Sequence, residues 1–134
     1  MKYKLLWYEI FHKFVIFLYP KMNMKEIEII TVTNEKCIRV IQIASLFAIT
    51  VEDYICTFYI ENEEKFSCTQ SMEKIEKLLP EYFFRISRNT MINMKKIRSV
   101  ESKQKKVELI SGHTFTYSHR NAKLIREKLN SDSL

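Results

Sequence analysis

Between residues 25 and 118 the chain alternates apolar and polar residues in short runs broken by polar pairs, and this period of two limits what it can fold into more than any other feature. KEIEIITVT (25–33) and KCIRVIQI (36–43) alternate on either side of Asn34-Glu35 and read as a hairpin. LFAIT (46–50) reads as a short buried strand, Glu52-Asp53 as a polar turn, YICTFYI (54–60) as the next strand, 61–64 as another turn, and KFSCT (65–69) as its partner. KKVELI (105–110), a turn at Ser111-Gly112 and HTFTYS (113–118) repeat the pattern, with Phe83, Phe84, Phe115 and Tyr117 as core aromatics. Gly112 is the single glycine, so the turns must be made by Asn, Asp and Glu, and loops longer than two-residue primed turns are expected. The fold class that follows is mainly β, built from small antiparallel sheets.

Helical spacing interrupts this pattern in three places. In the middle, Ser71 caps a short helix, Glu73 sits in its first turn, Met72, Ile75 and Leu79 form its apolar stripe, and Pro80 stops it. At the end, RNAKLIREKL (120–129) turns Leu124, Ile125 and Leu129 inward. At the start, residues 1–20 are the most apolar segment, with Glu9, His12 and Lys13 spaced to share one helix face and Pro20 at its end. The stretch between Leu5 and Tyr19, about 15 residues interrupted by charge, is too short to span a bilayer, which needs about 20, and no small-residue cleavage site follows it. It reads as an amphipathic helix packed on the domain or on a second copy. A membrane-surface helix and an upstream extension of the reading frame, with Met22 or Met24 as the true start, are the other readings. The expected division is an N-terminal extension over 1–24, a folded domain over 25–130 and a frayed tail over 131–134.

The net charge of +6 is unevenly placed: residues 1–80 hold 10 Lys and Arg against 11 Asp and Glu, whereas residues 81–134 hold 12 against 5. Such asymmetry points to a polyanionic partner or to a solvated basic face. Cys37, Cys56 and Cys68 all fall in strand-like runs and read as small core residues in a reducing cytosol. No CxxC, HExxH, P-loop or GxGxxG motif occurs, and His12, His113 and His119 have no ligand-like spacing, so neither metal nor cofactor is expected. Nothing pairs a nucleophile with a base, which argues against an enzyme.

The basic half is organised around FFRISRNTMINMKKIRSV (83–100), an alternating run that delivers Arg88 and Asn89 at a break and then resumes. A second polar tip, in YSHRNAKLI (117–125), presents His119, Arg120 and Lys123. The sequence Leu79-Pro80-x-x-Phe83-Phe84-Arg85-Ile86-x-Arg88-x-x-x-Ile92-Asn93, followed by Ile97, Val107-x-Leu109 and Ser118-x-Arg120, resembles the LytTR domain, the DNA-binding module of LytR- and AgrA-type bacterial response regulators. The resemblance covers roughly residues 25–129. It implies a LytTR-like β fold in which loops between strands, not a recognition helix, enter the major groove. It also implies base contacts from Tyr54, Arg88 and Arg120, and backbone contacts from Asn89, Asn121 and Lys123. Ser87 stands where the family commonly has His, and His119 where Arg or Val is usual.

Residue chemistry points the same way, since an arginine fork matches O6 and N7 of guanine. Lys95, Lys96, Arg98, Lys103, Lys105, Lys106 and Lys123 would supply the sequence-independent, salt-sensitive attraction, although lysines in KKxR and KQKK runs also read as solvated turns. Arg85, inside its strand, reads as structural. The expectation is therefore a cytoplasmic, sequence-specific regulator of transcription that binds double-stranded DNA, as a homodimeric pair on direct repeats and without a receiver domain. The alternative is an interaction module that places residues 1–20 at a membrane surface or on a membrane protein and the basic half on anionic lipid.

Overall fold

The computed structural model describes residues 28–131, and the expected N-terminal helix and the tail beyond Ser131 lie outside them. The chain divides into two compact units between Ala44 and Ser45. In the first, β1 (Ile29–Thr33) pairs with β2 (Ile38–Gln42) from Ile29 opposite Gln42 to Thr33 opposite Ile38, the hairpin the alternation predicts. The loop at 34–37 is closed by Asn34, whose Oδ1 accepts from the backbone N–H of Lys36 and of Cys37 at 2.9 Å each. This loop leaves Cys37 exposed, which corrects its reading as a core residue: it sits in the turn, where neither strand face can cover it.

The second unit is a five-stranded antiparallel sheet, a three-stranded antiparallel sheet and two helices. The larger sheet runs in the order β5 (Lys65–Thr69), β4 (Ile55–Ile60), β3 (Leu46–Glu52), β7 (Thr90–Asn93), β6 (Phe83–Ser87). Phe66, Phe58, Ile49, Met91 and Arg85 stand opposite one another across these strands and share one face. On that face Arg85 pairs with Glu73 and Glu76 of helix α1 (Met72–Leu78), which buries Met72 and Ile75. Ser71 caps α1 as expected, accepting from the Lys74 N–H.

The opposite face carries the main core. Phe47, Ala48, Phe84, Ile86 and Ile92 pack there against Val107, Leu109 and Tyr117 from the smaller sheet and its exit, and against Ile125 of helix α2 (Ala122–Ser131). A register shift between Leu46 and Ala48 lets the neighbouring Phe47 and Ala48 join the same core. The smaller sheet runs β10 (Thr114–Thr116), β9 (Lys106–Leu109), β8 (Ile97–Glu101). Phe83, Phe84 and Tyr117 are buried, and Phe115 packs partly buried against the core. In α2 Ile125 is buried and Leu129 packs on the core, but Leu124 is 38% exposed, because a helix of this length offers its sheet only a narrow stripe.

The turns depart from expectation. Asp53-Tyr54 joins β3 to β4 as a two-residue turn with both φ angles positive, at 49° and 68°. Tyr54 is therefore a turn residue, not the first residue of a strand. Arg88-Asn89 is a second two-residue connection, between Ser87 and Thr90. At Asp53-Tyr54 glycine is dispensable because paired strands on both sides hold the turn against a cost of about 1–2 kcal/mol per left-handed residue, whereas neither Arg88 nor Asn89 has a positive φ and no glycine is called for there.

Candidate nucleic-acid interface

Three connections of the second unit reach one end of the larger sheet. Thr50 pairs with both Thr57 and Thr90, so β3, β4 and β7 are in step where the Asp53-Tyr54 and Arg88-Asn89 turns begin. The Val51 N–H donates to the Asn89 carbonyl at 2.9 Å and ties the two turns side by side. Between them and the start of α1 lies a cleft of about 920 Å³ whose lining includes Tyr54, Arg88 and Asn89. Beyond β6 the Ser118 N–H donates to the Ile86 carbonyl at 2.9 Å. The 3-10 turn His119–Asn121 follows at once, bringing Arg120 and Asn121 to the same end.

Tyr54 is 84% exposed, and Arg88, Asn89 and Arg120 are also exposed. Neither Arg88 nor Arg120 has an ion pair among the described residues, so both guanidinium groups face solvent with their donors open. Lys123, in the first turn of α2, is exposed and lies 3.9 Å from Glu127. Arg85 makes the contrast. Its Nη2 lies 3.4 Å from Glu73 and 3.2 Å from Glu76, and its Nε is buried without a partner, so it is a structural arginine, as its place inside the strand predicts. The Glu73 carboxyl is held below its ordinary range, chiefly by its own backbone N–H and then by Arg85.

Lys95 and Lys96 are not brought to this end. They sit in the 3-10 turn Met94–Lys96, which leaves β7 at the end away from Arg88, and four strand residues correspond to about 13 Å. Lys95 Nζ lies 4.1 Å above the Tyr82 ring. Lys96 pairs with Glu61 at 3.3 Å and lies over Phe47 at 5.3 Å. Arg98 is likewise engaged, with Glu108 at 3.5 Å and the Ile110 carbonyl at 3.0 Å. Among the described residues no cluster of three or more His, Cys, Asp or Glu side chains is placed to hold a metal, and no helix is long and apolar enough to cross a membrane.

The family model of the LytTr DNA-binding domain matches residues 36–130. The chain belongs to the LytTR DNA-binding domain family. Among solved structures, this LytTR domain is similar to the LytTr DNA-binding domain described as that of a methyl-accepting/DNA response regulator from Bacillus cereus. The two share 17% identity and a TM-score of 0.66 over 75% of this chain and 95% of the other, a likeness of fold. No curated protein sequence matches at a significant level. One residue of the LytTR motif has a structural role that its sequence position does not spell out. Asn93 is 1% exposed, donates from Nδ2 to the Leu46 carbonyl and accepts at Oδ1 from the Lys95 N–H, each at 2.9 Å. It locks the far end of β7 to β3, and its signal in the sequence is a lone amide in the apolar run Met91-Ile92-Asn93-Met94.

Proposed function

We propose that this LytTR domain is a sequence-specific, double-stranded DNA-binding regulator of transcription that reads the major groove with the three connections at one end of its larger sheet. The observation that carries this reading is that Arg88 and Arg120, far apart in sequence, arrive at the same end with unpaired guanidinium groups. An exposed arginine fork on a short rigid turn suits guanine O6 and N7, and each such contact is worth about 1–3 kcal/mol of discrimination. Tyr54 adds an aromatic face that fits a thymine methyl. Asn89, Asn121 and Lys123 stand beside these tips, where phosphate oxygens would pass, and fix register without reading sequence. Lys95 and Lys96, at the other end and already engaged, take no part in this contact. One domain spans few base pairs, so a regulator of this kind acts in the cytoplasm as a pair on a direct repeat, with some bending of the DNA between sites.

Selection of bound duplexes from a random pool at near-physiological salt tests this reading. A repeated short motif is the expected product. Arg88→Ala and Arg120→Ala should then each relax one base position, whereas Lys123→Ala should weaken all sequences alike and flatten the salt slope by about one unit. Equal losses on every sequence from both arginine variants would sink their role as base readers.

A further inference from the structure

A fourth connection reaches the same end as the three tips. Residues 102–105 join β8 to β9, and the Tyr117 N–H donates to the Lys105 carbonyl at 2.9 Å, one residue before Ser118 bonds to Ile86. The hydrogen bonds Val51 to Asn89, Ser118 to Ile86 and Tyr117 to Lys105 therefore set the connections in a row: Asp53-Tyr54, Arg88-Asn89, His119–Asn121, then the β8–β9 turn. The two ends of the row carry opposite charge. At one end stand the exposed carboxylates of Glu52 and Asp53. At the other, Lys103, Lys105 and Lys106 are exposed, and none has an ion pair among the described residues.

The lysine turn is also held in shape. Glu101 turns its carboxylate inward, accepting from the Lys103 N–H at 2.9 Å and the Gln104 N–H at 2.6 Å, and its own carbonyl accepts from the Tyr117 hydroxyl at 3.2 Å. Its negative charge is thus spent on the turn's backbone while the ammonium groups point away into solvent. A fixed turn loses little conformational entropy when its charges meet a partner.

We infer that the β8–β9 turn grips the phosphate backbone beside the base read by Arg120, giving the domain a lopsided DNA footprint that extends past Arg120 and stops at the acidic Glu52-Asp53 end. The inference rests on the DNA-binding reading above. Carboxylates at the Tyr54 end repel phosphate, so contact there is confined to base edges. At the Arg120 end the three lysines supply attraction that is blind to sequence and steep in salt.

The test uses the full chain on its selected duplex, with single phosphates replaced by neutral methylphosphonates one at a time along both flanks. The Arg120 side is the flank nearest the base whose preference Arg120→Ala relaxes. Neutral linkages on that side should weaken binding severalfold, and those beyond the Tyr54 side should leave it unchanged or tighten it. The triple variant Lys103→Gln, Lys105→Gln, Lys106→Gln should keep the same base preferences, flatten the salt slope by about two to three units, and lose the sensitivity to methylphosphonates on the Arg120 side beyond the phosphates met by Asn121 and Lys123. Equal sensitivity on both flanks, or a triple variant with an unchanged salt slope on the same selected site, would overturn the inference while leaving the three reading tips standing. Failure to select any duplex would instead remove the DNA-binding reading on which it rests.

Discussion

Asn93 uses both ends of its buried amide, so its loss strands two backbone groups at once. Asn93→Ala leaves the Leu46 carbonyl and the Lys95 N–H without partners in a dry site, and should lower stability by about 3 kcal/mol in denaturant titration with the bound DNA motif unchanged. A drop of less than about 1 kcal/mol would mean that water replaces the amide. The cysteines separate equally sharply. Cys56 and Cys68 face each other across β4 and β5, and the Cys56 thiol is pushed from 9.0 up to about 12, first by burial and then by Cys68. Alkylation of the native chain at mild alkaline pH should modify Cys37 and spare both. Because Cys56 ionises near 9.0 when unfolded and only near 12 when folded, its contribution to stability is full below pH 9 and lost as pH rises through that range. Chemical denaturation at stepped alkaline pH, compared with Cys56→Ala, would show whether that loss belongs to this thiol.

Among the elements, the Asp53-Tyr54 turn holds two left-handed residues at a position proposed to meet DNA. Asn-Gly in its place would suit two positive φ angles better and should raise stability by about 1 kcal/mol. The same exchange removes the exposed Tyr54 ring, so selection with this variant should lose preference at one base position while thermal stability rises. A variant that gains stability and keeps the full motif would show that the ring reads nothing. Helix α1 has the opposite character. Seven residues do not hold a helix alone, and it persists because Met72 and Ile75 are buried and Arg85 draws Glu73 and Glu76 onto the sheet.

In the whole molecule, separate tips on separate strands should act independently. Arg88→Ala combined with Arg120→Ala should lose affinity for the selected duplex as the sum of the single losses, within about 0.5 kcal/mol, in titrations at fixed salt. A clear shortfall would mean that the two share one contact. How much of this was legible beforehand follows from what each feature depends on. The alternation of 25–33 and 36–43, the Ser71 cap and the ordered motif around Arg88 and Arg120 are local properties, and the chain alone determined the β class, the positions of most strands and the family. The tightness of the Asp53-Tyr54 turn, the exposure of Cys37 and Leu124, and the placing of Lys95 and Lys96 at the end of β7 away from Arg88 were not legible, because each depends on which strands pair and where they end. Charge content is written in the sequence, yet the sorting of the basic residues into paired ones such as Lys96 and Arg98 and open ones such as Arg88 was settled only when hydrogen bonds between distant strands set the four connections in one row.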